Sequence, residues 1–301
     1  MARIVRTDRE LELPGVDAAL RAAGHELVLL PDGVTEEILA KEMRETELLL
    51  MCYTPVTARE RGIPVVNVPE YAEETVAEGA FALMMALARN HQRIEKAMSQ
   101  DGWAWPEPRW LGSDLSGKTL GLVGLGRIGT GVARMAAAFR MRVLAFDPYV
   151  KGTASDLRAM LAESDFVSIH CVLNSETRHL VGEAELRAMK PTACLINVSR
   201  GAIVDEAALV KALLEKRIAG AALDVYSQEP LAREGHPLSA LYEMDNVILS
   251  PHLTFYTREA MARLEADTLE RCREVLEGRP VTVRSRDPRL RAQTRGVRFA
   301  G

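Results

Sequence analysis

Three polar residues of complementary chemistry each follow a strand-like apolar run in the second half of the chain. Arg200 follows CLINV, in NVSRG; Glu229 follows AALDV, in LDVYSQEP; His252 follows NVILS, in SPH. An imidazolium can hydrogen-bond an oxygen that is becoming negative and hand it a proton. A carboxylate beside the ring stabilises that imidazolium and holds its tautomer. A guanidinium offers a planar fork to a carboxylate, and its charge polarises a neighbouring carbonyl. Together the three suit hydride addition to a carbonyl that stands next to a carboxylate. Arg200 would anchor the acid, His252 would deliver the proton and Glu229 would support His252. Oxidation of the hydroxy acid runs the same steps backwards, with His252 as base. A lone loop histidine or glutamate is usually just solvated. Three complementary residues at or just beyond the carboxyl ends of late strands, where open α/β sheets place their ligands, argue for a site.

The hydride needs a carrier, and residues 118–147, KTLGLVGLGRIGTGVARMAAAFRMRVLAFD, read as its seat. Residues 119–123 form a short apolar run suited to a buried parallel strand. Gly124, Gly126 and Gly129 follow with G-x-G-x-x-G spacing, and an alanine-rich helix is predicted over 131–140. A second strand, 142–146, ends at Asp147, eighteen residues after the last glycine. Gly124 permits the tight turn, Gly126 lets the backbone approach a pyrophosphate, and Gly129 lets helix and strand pack closely. The helix N-terminus offers N–H groups and a positive dipole end to phosphate. Asp147 can accept both ribose hydroxyls and would repel a 2′-phosphate, which points to NAD rather than NADP, although Arg127 and Arg142 lie nearby.

The elements that must position these residues alternate between strand and helix. Early strands are predicted at 3–6, 25–30, 48–51 and 63–68, with helices over 16–23 and after the cap at Thr35. Residues 75–93 form one long apolar helix, hydrophobic on most faces and so expected to be buried between domains or subunits. DGWAWPEPRW, which holds all three tryptophans, reads as a loop packing on a partner surface. Later strands fall at 166–170, 194–198, 220–225 and 247–249, with helices at 183–189, 206–215 and 258–276. The arginine-rich tail from residue 284 lacks periodicity and reads as a solvated extension.

At 301 residues, nearly half of them apolar, the chain suits two domains or one large one. A formal net charge of −4 gives no basis for a nucleic-acid partner. The four cysteines are scattered without metal-ligand spacing, as in a reducing compartment. MARIVRTDRE lacks the apolar core of a signal peptide, and the longest apolar run is too short to span a bilayer. The expectation is a soluble cytoplasmic protein without a metal.

GLVGLGRIG, FDPY, NVSRGAIVDEAAL, LDVYSQEP and NVILSPH, in that order, resemble the D-isomer-specific 2-hydroxyacid dehydrogenase family. The resemblance runs from about residue 75 to 260 and more weakly over 48–68. It implies an α/β chain with a Rossmann-type, doubly wound parallel NAD domain (73–256). This is inserted into a smaller, discontinuous flavodoxin-like substrate domain (1–72 and 257–301). It also implies a homodimer and a small 2-hydroxy or 2-oxo acid substrate. By position, Arg200, Glu229 and His252 take the catalytic roles. Arg127 and Ile128 would meet the pyrophosphate, beside Gly124, Gly126 and Gly129, and Asp147 the ribose. Cys171, Val172 and Thr177 would line the adenine side. Ser199 and Asp224 would lie near the nicotinamide, and Val198 belongs with the same cofactor-binding set. SPHLTFYT is also similar to the D-lactate dehydrogenase branch.

One departure stands out. In the family, the strand corresponding to LLLMCY is followed by helix, strand, glycine-containing loop and helix before IPVVNV. Here nine residues separate Tyr53 from Ile63. A strand and most of two helices are absent near residues 58–61, and with them the backbone donors for the substrate carboxylate. The alternative function is therefore an NAD-binding, co-repressor-like regulatory protein with little turnover. The intact Arg–Glu–His set speaks against it.

Overall fold

The computed structural model describes residues 1–7, 13–31, 33–51, 65–103, 107–151, 153–285 and 288–300. The chain folds as two compact units, Met1–Ala72 with Thr257–Gly301, and Glu73–Tyr256.

In the first unit, strands Arg3–Arg6 (β1), Glu26–Leu29 (β2) and Leu48–Leu50 (β3) form a parallel sheet in the order β2-β1-β3. Helices Pro14–Ala22 (α1) and Glu36–Glu42 (α2) alternate with them. Pro14 suits the first turn of α1, where its missing N–H costs nothing. The N-cap residue Leu13 has no capping side chain. The Glu265 carboxylate on helix Arg258–Leu276 instead accepts the Gly15 N–H at 2.8 Å. Val16 and Leu20 of α1 bury against Ile4, Leu264 and Cys272. Thr35 caps α2 through Ile38 N, as its residue type predicts.

The strand expected at 63–68 is not found where it can be seen. Residues 63 and 64 lie outside the described residues, as does the shortened stretch around 58–61, and residues 65–68 carry no strand. The Val65 N–H and carbonyl pair with the side-chain amide of Gln293 at 2.7 and 2.8 Å, so a side chain rather than a neighbouring strand satisfies this backbone. The tail is likewise more than a solvated extension. Val297–Phe299 pairs in parallel with Val281–Val283, and Arg298 reaches the fully buried Glu274 carboxylate at 2.8 Å. A buried carboxylate needs such donors, which is what ties this arginine down.

In the second unit, strands Thr119–Val123 (β4), Arg142–Phe146 (β5), Phe166–Ile169 (β6), Cys194–Asn197 (β7), Gly220–Leu223 (β8) and Val247–Leu249 (β9) form one sheet. All pairs are parallel, in the order β5-β4-β6-β7-β8-β9. Chain order reverses between β4 and β6, which makes their carboxyl ends the switch point where such sheets bind nucleotides. Helices Glu73–Ala88 (α3), His91–Asp101 (α4), Arg127–Ala138 (α5), Leu157–Glu163 (α6), Glu183–Ala188 (α7) and Glu206–Leu214 (α8) complete the unit. Side chains alternate between two apolar layers. Leu120, Leu122, Phe166, Ile196 and Ala222 pack with α3 and α5. Val123, Val167, Leu195, Ala221 and Leu223 pack with α6, α7 and α8. This two-sided burial explains why β4, β6, β7 and β8 read as continuous apolar runs.

Three helices differ from expectation. The single helix over 75–93 is two, because Asn90 takes a left-handed φ of 51° that asparagine tolerates, and α4 begins after it. Helix α5 starts at Arg127 rather than 131, inside the glycine run. A Cβ at Gly131 would lie 2.9 Å from the Ala77 Cβ of α3, so close packing overrides weak helix propensity. Helix α6 has no counterpart among the expected helices, although Asp156 supplies its N-cap, accepting from Arg158 N and Ala159 N. Among the described residues, no helix is long and apolar enough to cross a membrane.

Candidate active site

His252 and Glu229 meet. The His252 Nδ1 lies 2.8 Å from Glu229 Oε2, while Glu229 Oε1 accepts the Tyr226 N–H at 2.9 Å. Both carboxylate oxygens are thus committed, and the ring is oriented through Nδ1, so proton exchange falls to Nε2. Burial alone would raise the Glu229 acid. Hydrogen bonds from His252 and the Tyr226 N–H, with the charges of His252 and Arg200, outweigh it and hold the carboxyl below the usual range. Arg200 is exposed, with its Nη1 2.6 Å from the Ser199 carbonyl. Its loop is set by Asn197, which donates to the Arg200 carbonyl at 3.0 Å and accepts from Ser199 N at 3.1 Å.

His252 has φ = 59°, a left-handed conformation that costs a β-carbon residue about 1–2 kcal/mol. Asp224, fully buried at the end of β8, secures it. One oxygen accepts Leu253 N at 2.8 Å; the other accepts Thr254 N at 3.0 Å and the Thr254 hydroxyl at 2.6 Å. Asp224 therefore fixes the segment directly after the histidine. Its place in sequence, just past a strand, did not show this, because the partners lie about thirty residues on.

The glycine-rich turn has the geometry a pyrophosphate cradle needs. Gly124 has φ = +99°, and a Cβ there would meet Cys171 N at 2.6 Å, across the switch point. A Cβ at Gly129 would lie 2.3 Å from the Gly124 carbonyl, whereas at Gly126 nothing stands within 4 Å. Gly126 stands at the start of α5, whose ladder begins with Thr130 N donating to the Gly126 carbonyl. The Arg127 side chain turns to Glu73 of α3, at 2.6 Å, and Ile128 packs in the layer with α3. Asp147 accepts Leu125 N at 2.8 Å and Tyr149 N at 2.9 Å, one on each oxygen, which fixes its carboxylate at the end of β5.

The remaining residues form the walls of this edge. The Ser199 hydroxyl donates to the Cys171 carbonyl at 2.6 Å, joining the ends of β6 and β7, and Val198 is buried beside it. Thr177 donates to the Val172 carbonyl at 2.6 Å and closes the 172–177 loop, with the Val172 side chain exposed. Burial raises the Cys171 thiol to about 11, so it stays neutral. Sequence reasoning passed over His170, whose Nε2 pairs with Ser168 Oγ at 2.8 Å. Its Nδ1 is sealed from solvent without a hydrogen-bond partner. Loss of hydration lowers this imidazole to about 4, so the ring beneath the turn is neutral near pH 7. No cluster able to hold a metal occurs among the described residues.

The family model of the D-isomer specific 2-hydroxyacid dehydrogenase NAD binding domain matches residues 81–254, more than half of the chain. The chain belongs to this dehydrogenase family. A glyoxylate reductase of Korarchaeum cryptofilum is 42% identical over 259 residues, covering 80% of this chain and 77% of that one. The crystal structure of TT0316 protein from Thermus thermophilus aligns with a TM-score of 0.80 at 35% identity, covering 92% and 97% of the two chains. A D-lactate dehydrogenase from Aquifex aeolicus, solved with NAD and lactic acid, gives 0.78 at 27% identity, covering 91% and 96%. The dehydrogenase is thus an NAD-binding oxidoreductase with a Rossmann-type domain, interconverting 2-hydroxy and 2-oxo acids.

Proposed function

We propose that the chain reduces a small 2-oxoacid with NADH, with His252 as proton donor, Glu229 as its partner and Arg200 as the carboxylate anchor. The observation that carries this is the Glu229–His252 contact of 2.8 Å, oriented through Nδ1. When bound, the dinucleotide supplies the hydride. Gly124, Gly126 and the first turn of α5 would hold its pyrophosphate, Asp147 its ribose, and Cys171, Val172 and Thr177 its adenine side. Val198, Ser199 and Asp224 would border the nicotinamide. Arg200 binds the acid group and polarises the neighbouring carbonyl. His252 then gives its Nε2 proton to the carbonyl oxygen as negative charge builds there, and Glu229 stabilises the ring while it is charged. In the oxidative direction His252 takes the proton back.

The glyoxylate reductases among the relatives make glyoxylate the first substrate to try. The first unit, Met1–Ala72 with Thr257–Gly301, serves as the substrate domain in this reading. Its sequence is short between Tyr53 and Ile63, so Arg200 carries most of the carboxylate binding. NADH absorbance should therefore fall with glyoxylate, hydroxypyruvate or pyruvate, with a KM for each that is weak for the family. NADH should outperform NADPH, and Asp147→Ser should narrow that gap by about tenfold, the equivalent of about 1.4 kcal/mol of relieved repulsion. A tight KM throughout, or equal use of NADPH by the unaltered chain, would contradict these expectations.

The reading extends to a cytoplasmic homodimer. Ile94 and Met98 on α4, with Trp103 and Leu111 after it, are exposed and apolar, as on a face that another copy covers. Light scattering should give twice the mass of one chain; a monomer at working concentration would refute the pairing.

A further inference from the structure

We infer that Glu206 is a positioning residue for the Glu229–His252 pair, a claim that rests on the catalytic reading given above. An acidic residue in the first turn of a helix ordinarily faces water and favours the helix dipole. Glu206, the first residue of α8, is instead 9% exposed. The helix is already capped by Asp205, which accepts Ala208 N at 3.0 Å, so Glu206 is not needed there.

Its carboxylate is spent on one residue of another loop. Oε1 accepts the Ser227 N–H at 2.7 Å, and Oε2 accepts the Ser227 hydroxyl. The third side is closed by His236. That ring accepts Leu238 N at Nδ1, at 3.0 Å, so its proton sits on Nε2, which is turned toward Glu206 Oε2 at 3.8 Å. Ser227 lies between Tyr226, whose N–H holds Glu229 Oε1, and Glu229 itself.

A second contact locks the same loop from the same direction. A Cβ at Gly201 would fall 2.0 Å from the Tyr226 carbonyl carbon and 2.2 Å from Ser227 N. The stretch that starts at Arg200 therefore lies against the loop that ends at Glu229, and Glu206 clamps the two together a few residues on. Glu206 hydrogen-bonds Ser227 and neither Glu229 nor His252, so it acts through the loop. Without it the Ser227 N–H and hydroxyl both lose the acceptor that holds them, and the loop can shift. A shift of about 1 Å in a catalytic group can cost on the order of 10²-fold in rate.

The test is steady-state turnover of glyoxylate with NADH for Glu206→Ala, Glu206→Gln, Glu229→Gln and the double variant Glu206→Ala/Glu229→Gln. Glu206→Ala should lower kcat on the order of 10- to 100-fold, with KM for glyoxylate and NADH affinity changed by about twofold at most. Glu206→Gln, whose amide can still meet both Ser227 groups, should recover most of the rate. In the Glu229→Gln background the Glu206→Ala change should have almost no further effect on kcat, because there is no longer a carboxylate to aim. Losses that multiply in the double variant, or a fall in NADH affinity that matches the fall in kcat, would overturn the inference. If Glu206→Ala does not fold, Ser227→Ala carries the same test. Its loss, roughly threefold or more, should vanish in the Glu229→Gln background, and an equal loss in both backgrounds would overturn the inference. Wild-type turnover in Glu229→Gln alone would instead overturn the catalytic reading beneath it.

Discussion

Replacing His252 by alanine should lower kcat on the order of 10²- to 10⁴-fold while NADH still binds. The size follows from the role proposed for the ring. Hydride addition leaves an alkoxide unless a proton arrives with it, and water is a poor donor near neutral pH. The Nδ1 side of the ring is taken by Glu229 at 2.8 Å, and Asp224 holds the next two residues with three hydrogen bonds. The substitution therefore removes a proton donor without releasing the loop. Gly124, Gly126 and Asp147 lie past β4 and β5, at the far side of the sheet from β9, so cofactor affinity should hold. Fluorescence titration with NADH beside steady-state turnover separates the two quantities. Turnover near the wild-type rate would remove His252 from the mechanism.

Arg200→Ala should harm both KM and kcat, lowering kcat/KM on the order of 10²- to 10³-fold. In the proposed mechanism the guanidinium would bind the substrate carboxylate in the ground state and polarise the carbonyl in the transition state, so neither constant would be spared. In the proposed reading Arg200 is the main carboxylate anchor, so the loss should exceed what a single peripheral contact would give. Arg200→Lys should recover only part of it, because an ammonium cannot offer the planar fork. A change confined to KM would show that Arg200 only anchors the acid.

Much of this site could be seen in the residues alone, because its determinants are local. The turn at Gly124, the helix at its mouth and Asp147 at the end of the next strand follow one another within thirty residues. Strands such as Thr119–Val123, Arg142–Phe146 and Val247–Leu249 stand where their apolar runs predict. What sequence missed depends on partners far along the chain. Asp224 and Glu206 look like an acid after a strand and an acid at a helix start. Their function as loop braces appears only when residues 253, 254 and 227 fold back onto them. The break at Asn90 comes from one left-handed residue in the helical pattern. The early start of α5 comes from close packing on Ala77 of α3, which outweighs the weak helix propensity of its glycines. Residues 65–68, within the run read as a strand, carry none for a related reason, since β-branched composition alone cannot supply a neighbouring strand.

The most direct test of 2-oxoacid reduction uses NADH carrying deuterium at both C4 positions, incubated with glyoxylate and the purified chain. The expected result is the 2-hydroxy acid with one deuterium on C2, formed in step with the NADH consumed and lost in His252→Ala. Bound NADH with no labelled acid, for glyoxylate and for the other 2-oxoacids alike, would contradict it and favour a protein that senses the dinucleotide without turning it over.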